Sequence, residues 1–148
     1  MLSIKKSSYK FYVSFIILFI YSNYNNIYAS DFISRGYYVI DLSQKIEWLT
    51  CPVGMVWQEK NCIGKALKLK FSEVDIAIFE AGKQLGGVWR LPNREELEKL
   101  VCQNCINGKI NSNVFPNTPP ESFWTSEINS WQPKFMWTVN FFTGYTFG

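Results

Sequence analysis

Alternation of apolar and polar positions is strongest near the end of the chain. In "FMWTVNFFT" (135–143) the odd positions Phe135, Trp137, Val139 and Phe141 are all apolar. A strand has a side-chain period of two, so these four predict the core face, with Met136, Thr138, Asn140 and Phe142 pointing the other way. Thr143 and Gly144 read as a turn, and "YTFG" begins a returning strand. "FWTSE" (123–127) predicts its upstream neighbour. Nearer the start, "YYVI" (37–40) and "IEWLT" (46–50) flank polar "DLSQK" and predict a hairpin, with "MVWQ" (55–58) as a third short strand. Residues 30–36 read as a loose lead-in.

Between these strand groups the period becomes helical. In "FSEVDIAIFEAGKQLGG" (71–87), Val74, Ala77, Ile78, Ala81 and Leu85 fall on one face. Ser72 with Asp75 three residues on resembles a capping box, and Gly86 and Gly87 supply a left-handed stop. Asp75 is then a partner for the helix N-terminus, not a catalytic acid. "WRLPNREELEKL" (89–100) begins as a short buried segment. Pro92 ends it and holds Leu91 extended. Asn93 with Glu96 predicts the cap of a second helix. Leu97, Leu100 and Val101 face inward; Arg94, Glu95, Glu98 and Lys99 face water. Residues 102–121 are rich in Asn, Pro and Gly, a long loop whose Ile106, Ile110, Val114 and Phe115 predict an excursion pinned to the body.

The first 29 residues follow a different pattern: Lys5, Lys6 and Lys10, an apolar run over 11–20, an Asn-rich patch, then "IYAS". That is the order of a secretory signal peptide, with cleavage expected after Ala29. The apolar run is shorter than the roughly 20 residues of a comfortable membrane span. Membrane contact is therefore expected only through the export signal, and the protein is expected in the periplasm, at the cell surface or outside the cell. Removing this segment takes away three of the fifteen basic residues and leaves twelve, equal to the acidic ones. The positive balance belongs to the export signal and gives no footprint for nucleic acid. The remaining 30–148 is expected to form one domain.

Four cysteines in a small exported domain read as two disulfides. The local pairs Cys51–Cys62, bracketing a hairpin with a polar tip at 59–61, and Cys102–Cys105 are the expected partners. A redox Cys-x-x-Cys would open a helix, whereas "CQNC" follows one. A four-cysteine zinc site would show two closely spaced pairs, whereas ten residues separate Cys51 from Cys62. No metal and no cofactor are expected.

The chain has no histidine, which removes Ser-His-Asp and Cys-His catalysis. It shows no glycine-rich phosphate loop and no GxSxG elbow. Glu95 and Glu96 are adjacent on a helix and diverge. No catalytic residue is nominated, and the chain is not expected to be an enzyme. Aromatic residues beside polar amides suit a binding surface, with carbohydrate as the natural ligand. Trp131 in "INSWQPK" is the best candidate, with Gln132 and Lys134 beside it; the alternative is that Trp131 folds back as core.

"WRLPNREELEKLV", "INSNVFPNTP", "FWTSE" and "WTVNFFTG" occur in that order. Together they resemble the Lcl C-terminal domain-like family, named for the end domain of a bacterial collagen-like adhesin. "CPVGMVWQEKNCIG" is similar to the cysteine hairpin of many members. The resemblance covers roughly 47–148. It implies an α+β, C-type-lectin-like fold: two helices packed on a mixed, mostly antiparallel sheet with a long loop region. It also implies surface or envelope display, and glycan or glycosaminoglycan binding in an adhesin-like role. The Arg-Leu-Pro step also resembles formylglycine-generating enzymes, but their late active-site cysteines have no counterpart here. Three departures stand out. No collagen-like repeat precedes the domain. The calcium-binding triplets of sugar-binding C-type lectins are missing. And relatives continue into a last strand that this chain lacks, so its final strand is expected to be absent. Two other readings follow: a structural envelope or protein-interaction subunit with no small ligand, and a truncated, degenerate copy.

Overall fold

A computed structural model describes residues 31–148; the expected signal peptide, 1–29, lies outside the described residues. The elements run β1 (Phe32–Ser34), β2 (Tyr38–Asp41), β3 (Ile46–Leu49), β4 (Met55–Gln58), β5 (Asn61–Gly64), α1 (Val74–Leu85), α2 (Arg94–Glu98), β6 (Ser122–Ile128), β7 (Met136–Asn140) and β8 (Thr146–Phe147). A short 3-10 turn, Phe71–Glu73, leads into α1. The class is α+β, with two α-helices among the described residues. The strands divide into three small sheets, ordered β1-β2-β3, β4-β5 and β6-β7-β8, and every pairing is antiparallel.

The first sheet contains one strand more than the sequence predicts. Residues 32–34 of the expected lead-in pair with 39–41, Ile33 opposite Ile40. Asp41 then closes the β2–β3 turn. Its carboxylate accepts from the Ser43 N–H and hydroxyl, the Gln44 N–H and side-chain amide, and the Trp48 indole at 3.4 Å. Burial works against its ionisation, but these donors outweigh that and hold its pKa below the ordinary carboxylate value. The Gln44 amide also donates to the Glu96 carbonyl at 3.1 Å, which ties this turn to α2.

The β4–β5 hairpin carries the expected polar tip, with Glu59 and Lys60 both at positive φ. The Cys51–Cys62 disulfide clamps its base, with Cα atoms 5.5 Å apart. Gly54 is obligatory there: φ is +95°, and a Cβ would lie 2.6 Å from the Leu67 side chain. Cys102–Cys105 forms the second expected disulfide.

The core gathers Val39, Leu97, Leu100, Ile110, Phe115, Val139 and Phe141. Val139 of β7 and Phe141, just past its end, thus take predicted core positions. Phe135 does not: it is 54% exposed and lies before the strand. The strand also ends early, at Asn140, because the Asn140 side chain accepts the N–H groups of Phe142 and Thr143 and starts the turn. In the long loop, Ile110 and Phe115 are buried and Ile110 bridges to Val101, whereas Ile106 is exposed to solvent. The loop is pinned, but by three of its four apolar residues.

Two corrections concern the helices. Ser72 caps nothing. Glu73 precedes α1 without a side-chain cap bond, and its carboxylate instead accepts the Lys70 N–H at 2.7 Å. Residues 89–91 are an irregular extended stretch, half-buried at most, and not a strand. The Trp89 indole turns back onto the Gly86 carbonyl at 2.8 Å, and the Pro92 carbonyl accepts the Ser126 N–H of β6. The Asn93–Glu96 box is present in both directions, each bond 2.8 Å. Arg90 grips the Glu96 carboxylate at 2.7 and 2.8 Å.

Candidate functional site

The three candidate residues lie on one loop, between β6 and β7. Asn129, itself buried, organises it. Its side-chain oxygen accepts the N–H of Trp131 at 2.9 Å and of Gln132 at 3.3 Å. Its carbonyl accepts the Gln132 N–H, and the Gln132 carbonyl accepts the Phe135 N–H. The Asn129 N–H bonds the Phe135 carbonyl and closes the loop. A buried Asn that supplies its own turn bonds fixes a backbone that would otherwise be loose.

This scaffold turns its side chains outward. Trp131 is 85% exposed, so it does not fold back as core. Gln132 and Lys134 are exposed, and among the described residues neither side chain makes a hydrogen bond or ion pair. The loop therefore presents a flat apolar ring, an amide and a cation on a fixed backbone. That combination can stack on the apolar face of a sugar while donating hydrogen bonds to hydroxyl or sulfate oxygens.

The acids of α2 are occupied elsewhere. Hydrogen bonding and charge from Lys99 lower the Glu95 pKa, with the pair 2.8 Å apart. Glu96 is lowered chiefly by its bonds to Arg90, against the opposing effect of burial, and Arg90 is raised in return. Arg94 reaches Glu98 at 3.7 Å and Glu127 at 3.9 Å, and lies over the Trp137 ring at 5.0 Å. Among the described residues no group of three or more His, Cys, Asp or Glu side chains is placed to hold a metal ion. No helix among them is long and apolar enough to cross a membrane.

A second feature lies away from the predicted site residues. A cleft of about 810 Å³ lies between α1 and the body, walled by Ala77, Ile78 and Ala81 on one side and by β3, Leu97 and Phe123 on others. It does not include residues 129–135. The sequence signal for it is the predicted face itself: Ala77, Ile78 and Ala81 line the cleft, whereas Ile76 and Phe79, on another side of α1, are 66% and 65% exposed and do not.

No curated protein and no solved structure matches the chain. A family model does, over residues 37–148, which takes in every element from β2 onward, both disulfides, the Asn93 cap and the Trp131 loop. By that match the chain belongs to the Lcl C-terminal domain family.

Proposed function

We propose that this protein is a non-catalytic, adhesin-like binding module that acts outside the cytoplasm and holds glycans, sulfated glycosaminoglycans among them, through the β6–β7 loop. The observation that carries this reading is the 85% exposure of Trp131 on a backbone fixed by buried Asn129. An exposed indole beside an amide and a cation, on a backbone held by its own turn bonds, suits a surface that stacks on a ligand. Lys134 and Gln132 flank the ring and supply the polar contacts. Family membership supports the surface role, as does the charge pattern of the first 29 residues. The C-type-lectin-like architecture belongs to the same proposal: two helices and antiparallel sheets are compatible with it.

A glycan array and a heparin column test this reading together. The purified protein is expected to be retained. Trp131→Ala should abolish retention without changing the fold, and Lys134→Ala should weaken it and reduce its salt dependence. Absence of retention by any glycan, with Trp131→Ala equally silent, would reject the carbohydrate function. The cleft favours a second reading, a protein-interaction subunit, developed next.

A further inference from the structure

The cleft beside α1 is lined on one side by β3. In the first sheet, the Arg35 N–H bonds Tyr38 O, the Leu42 N–H bonds Asp31 O and the Thr50 N–H bonds Tyr37 O. With the registers Ile33↔Ile40 and Val39↔Trp48, these bonds fix which residues of β3 exchange hydrogen bonds with β2: Ile46, Trp48 and Thr50. The N–H and C=O groups of Glu47 and Leu49 therefore point to the opposite edge. Among the described residues nothing bonds to them, and both residues line the cleft. Unpaired strand groups beside an apolar surface are a template for another strand.

The charges at the rim are unevenly matched. Lys68 pairs with Glu121 at 3.1 Å, and Arg90 pairs with Glu96 at 2.7 Å. Glu47 lines the same cleft and has no ion pair among the described residues. The opposite wall is the apolar face of α1, where Ala77, Ile78 and Ala81 line the cleft and are only half-buried. The site thus offers backbone hydrogen bonds along one side, apolar side chains along the other, and one uncompensated carboxylate.

We propose that this cleft takes an extended, alternately apolar segment of a partner polypeptide, added along β3 as a fourth strand with a basic side chain set against Glu47. A strand is the occupant that satisfies all three features. An acyl chain would fill the apolar space but leave the Glu47 and Leu49 backbone groups unpaired, and a glycan would meet walls that are mostly apolar. Strand addition draws affinity from main-chain bonds and specificity from alternate side-chain pockets. The site is separate from the Trp131 loop, and the two stand or fall independently.

The test is to pan the purified protein against a displayed library of peptides about six residues long, a typical strand length, alternating Val, Ile, Leu or Phe with Thr, Lys or Glu. Enrichment of binders with Lys at one position is expected. In hydrogen exchange, the synthetic binder should protect the Glu47 and Leu49 amides. N-methylating the peptide amides that face β3 should weaken binding about tenfold, as expected for losing one or two ordinary hydrogen bonds. Glu47→Lys should shift selection from Lys to Glu, and Ala81→Trp should lower affinity from the opposite wall. The proposal is overturned if no peptide is enriched, if binding leaves Glu47 and Leu49 unprotected, or if N-methylated and parent peptides bind equally. Displacement of the peptide by palmitate with no change at those two amides would assign the cleft to lipid instead.

Discussion

The two helices carry opposite lessons. α1 has twelve residues and a clear apolar stripe, yet it lacks a side-chain cap and is separated from β3 by the cleft. α2 has five residues, too few to persist alone in water, yet it is the better anchored. Asn93 and Glu96 accept each other's N–H groups, Glu127 accepts that of Arg94, Arg90 holds Glu96, and Gln44 reaches its backbone from the β2–β3 turn. Leu97 and Leu100 enter the core against β6 and β7. Length and periodicity say that a helix forms; caps and tertiary neighbours decide how firmly it is held.

The largest expected contrast comes from trimming one side chain on each helix. Leu97→Ala should cost about 2–5 kcal/mol, as for other buried leucines, whereas Ile78→Ala, facing the open cleft, should cost less than about 1 kcal/mol. Equal losses in urea unfolding would mean that α1 is packed as tightly as α2. Next come the disulfides. Replacing Cys51 and Cys62 together by Ser should cost about 2–3 kcal/mol, and the Cys102–Cys105 pair, closing a much shorter loop, about 1–2 kcal/mol, by the chain-entropy relation. The caps should differ on a smaller scale. Asn93→Ala should cost about 1 kcal/mol, while Ser72→Ala should stay within roughly 0.5 kcal/mol; a larger loss at Ser72 would restore the box expected from the sequence. The shallowest effect is on pH dependence. Glu96 and Asp41 have folded pKa values below their unfolded ones, so their contribution is fully present above the unfolded values, about 4, and is lost as pH falls through the folded values. Glu96→Gln should flatten the acid limb of stability against pH; an unchanged limb would remove the Arg90–Glu96 pair from the account.

What was legible in the sequence was local. The Asn93–Glu96 cap, the hairpin tip at 59–61, both short-range disulfides and the core role of Val139 and Phe141 each follow from residues close together in the chain. What escaped depends on distant partners. β1 was hidden because "FIS" is too short to show alternation, and it becomes a strand only by pairing with β2. Phe135 has the parity of a core residue, but the turn built on Asn129 takes it out of the strand. The division into three sheets and the stand-off of α1 are long-range outcomes that no local period encodes. For the candidate site, the polar turn chemistry of "INSWQPK" marked a loop, but the choice between a buried and an exposed Trp131 rested on Asn129, whose burial only the fold supplies. The cleft was legible in part: Ala77, Ile78 and Ala81 of the predicted apolar face form one of its walls, but the space left beside them is set by distant elements.

The most direct test of the binding function is an NMR titration of the purified protein with heparin oligosaccharide, followed by backbone amide shifts. The account predicts shifts centred on residues 129–135, with Glu47, Leu49 and α1 unmoved, and their loss in Trp131→Ala. Shifts centred on the cleft, or none anywhere, would contradict it.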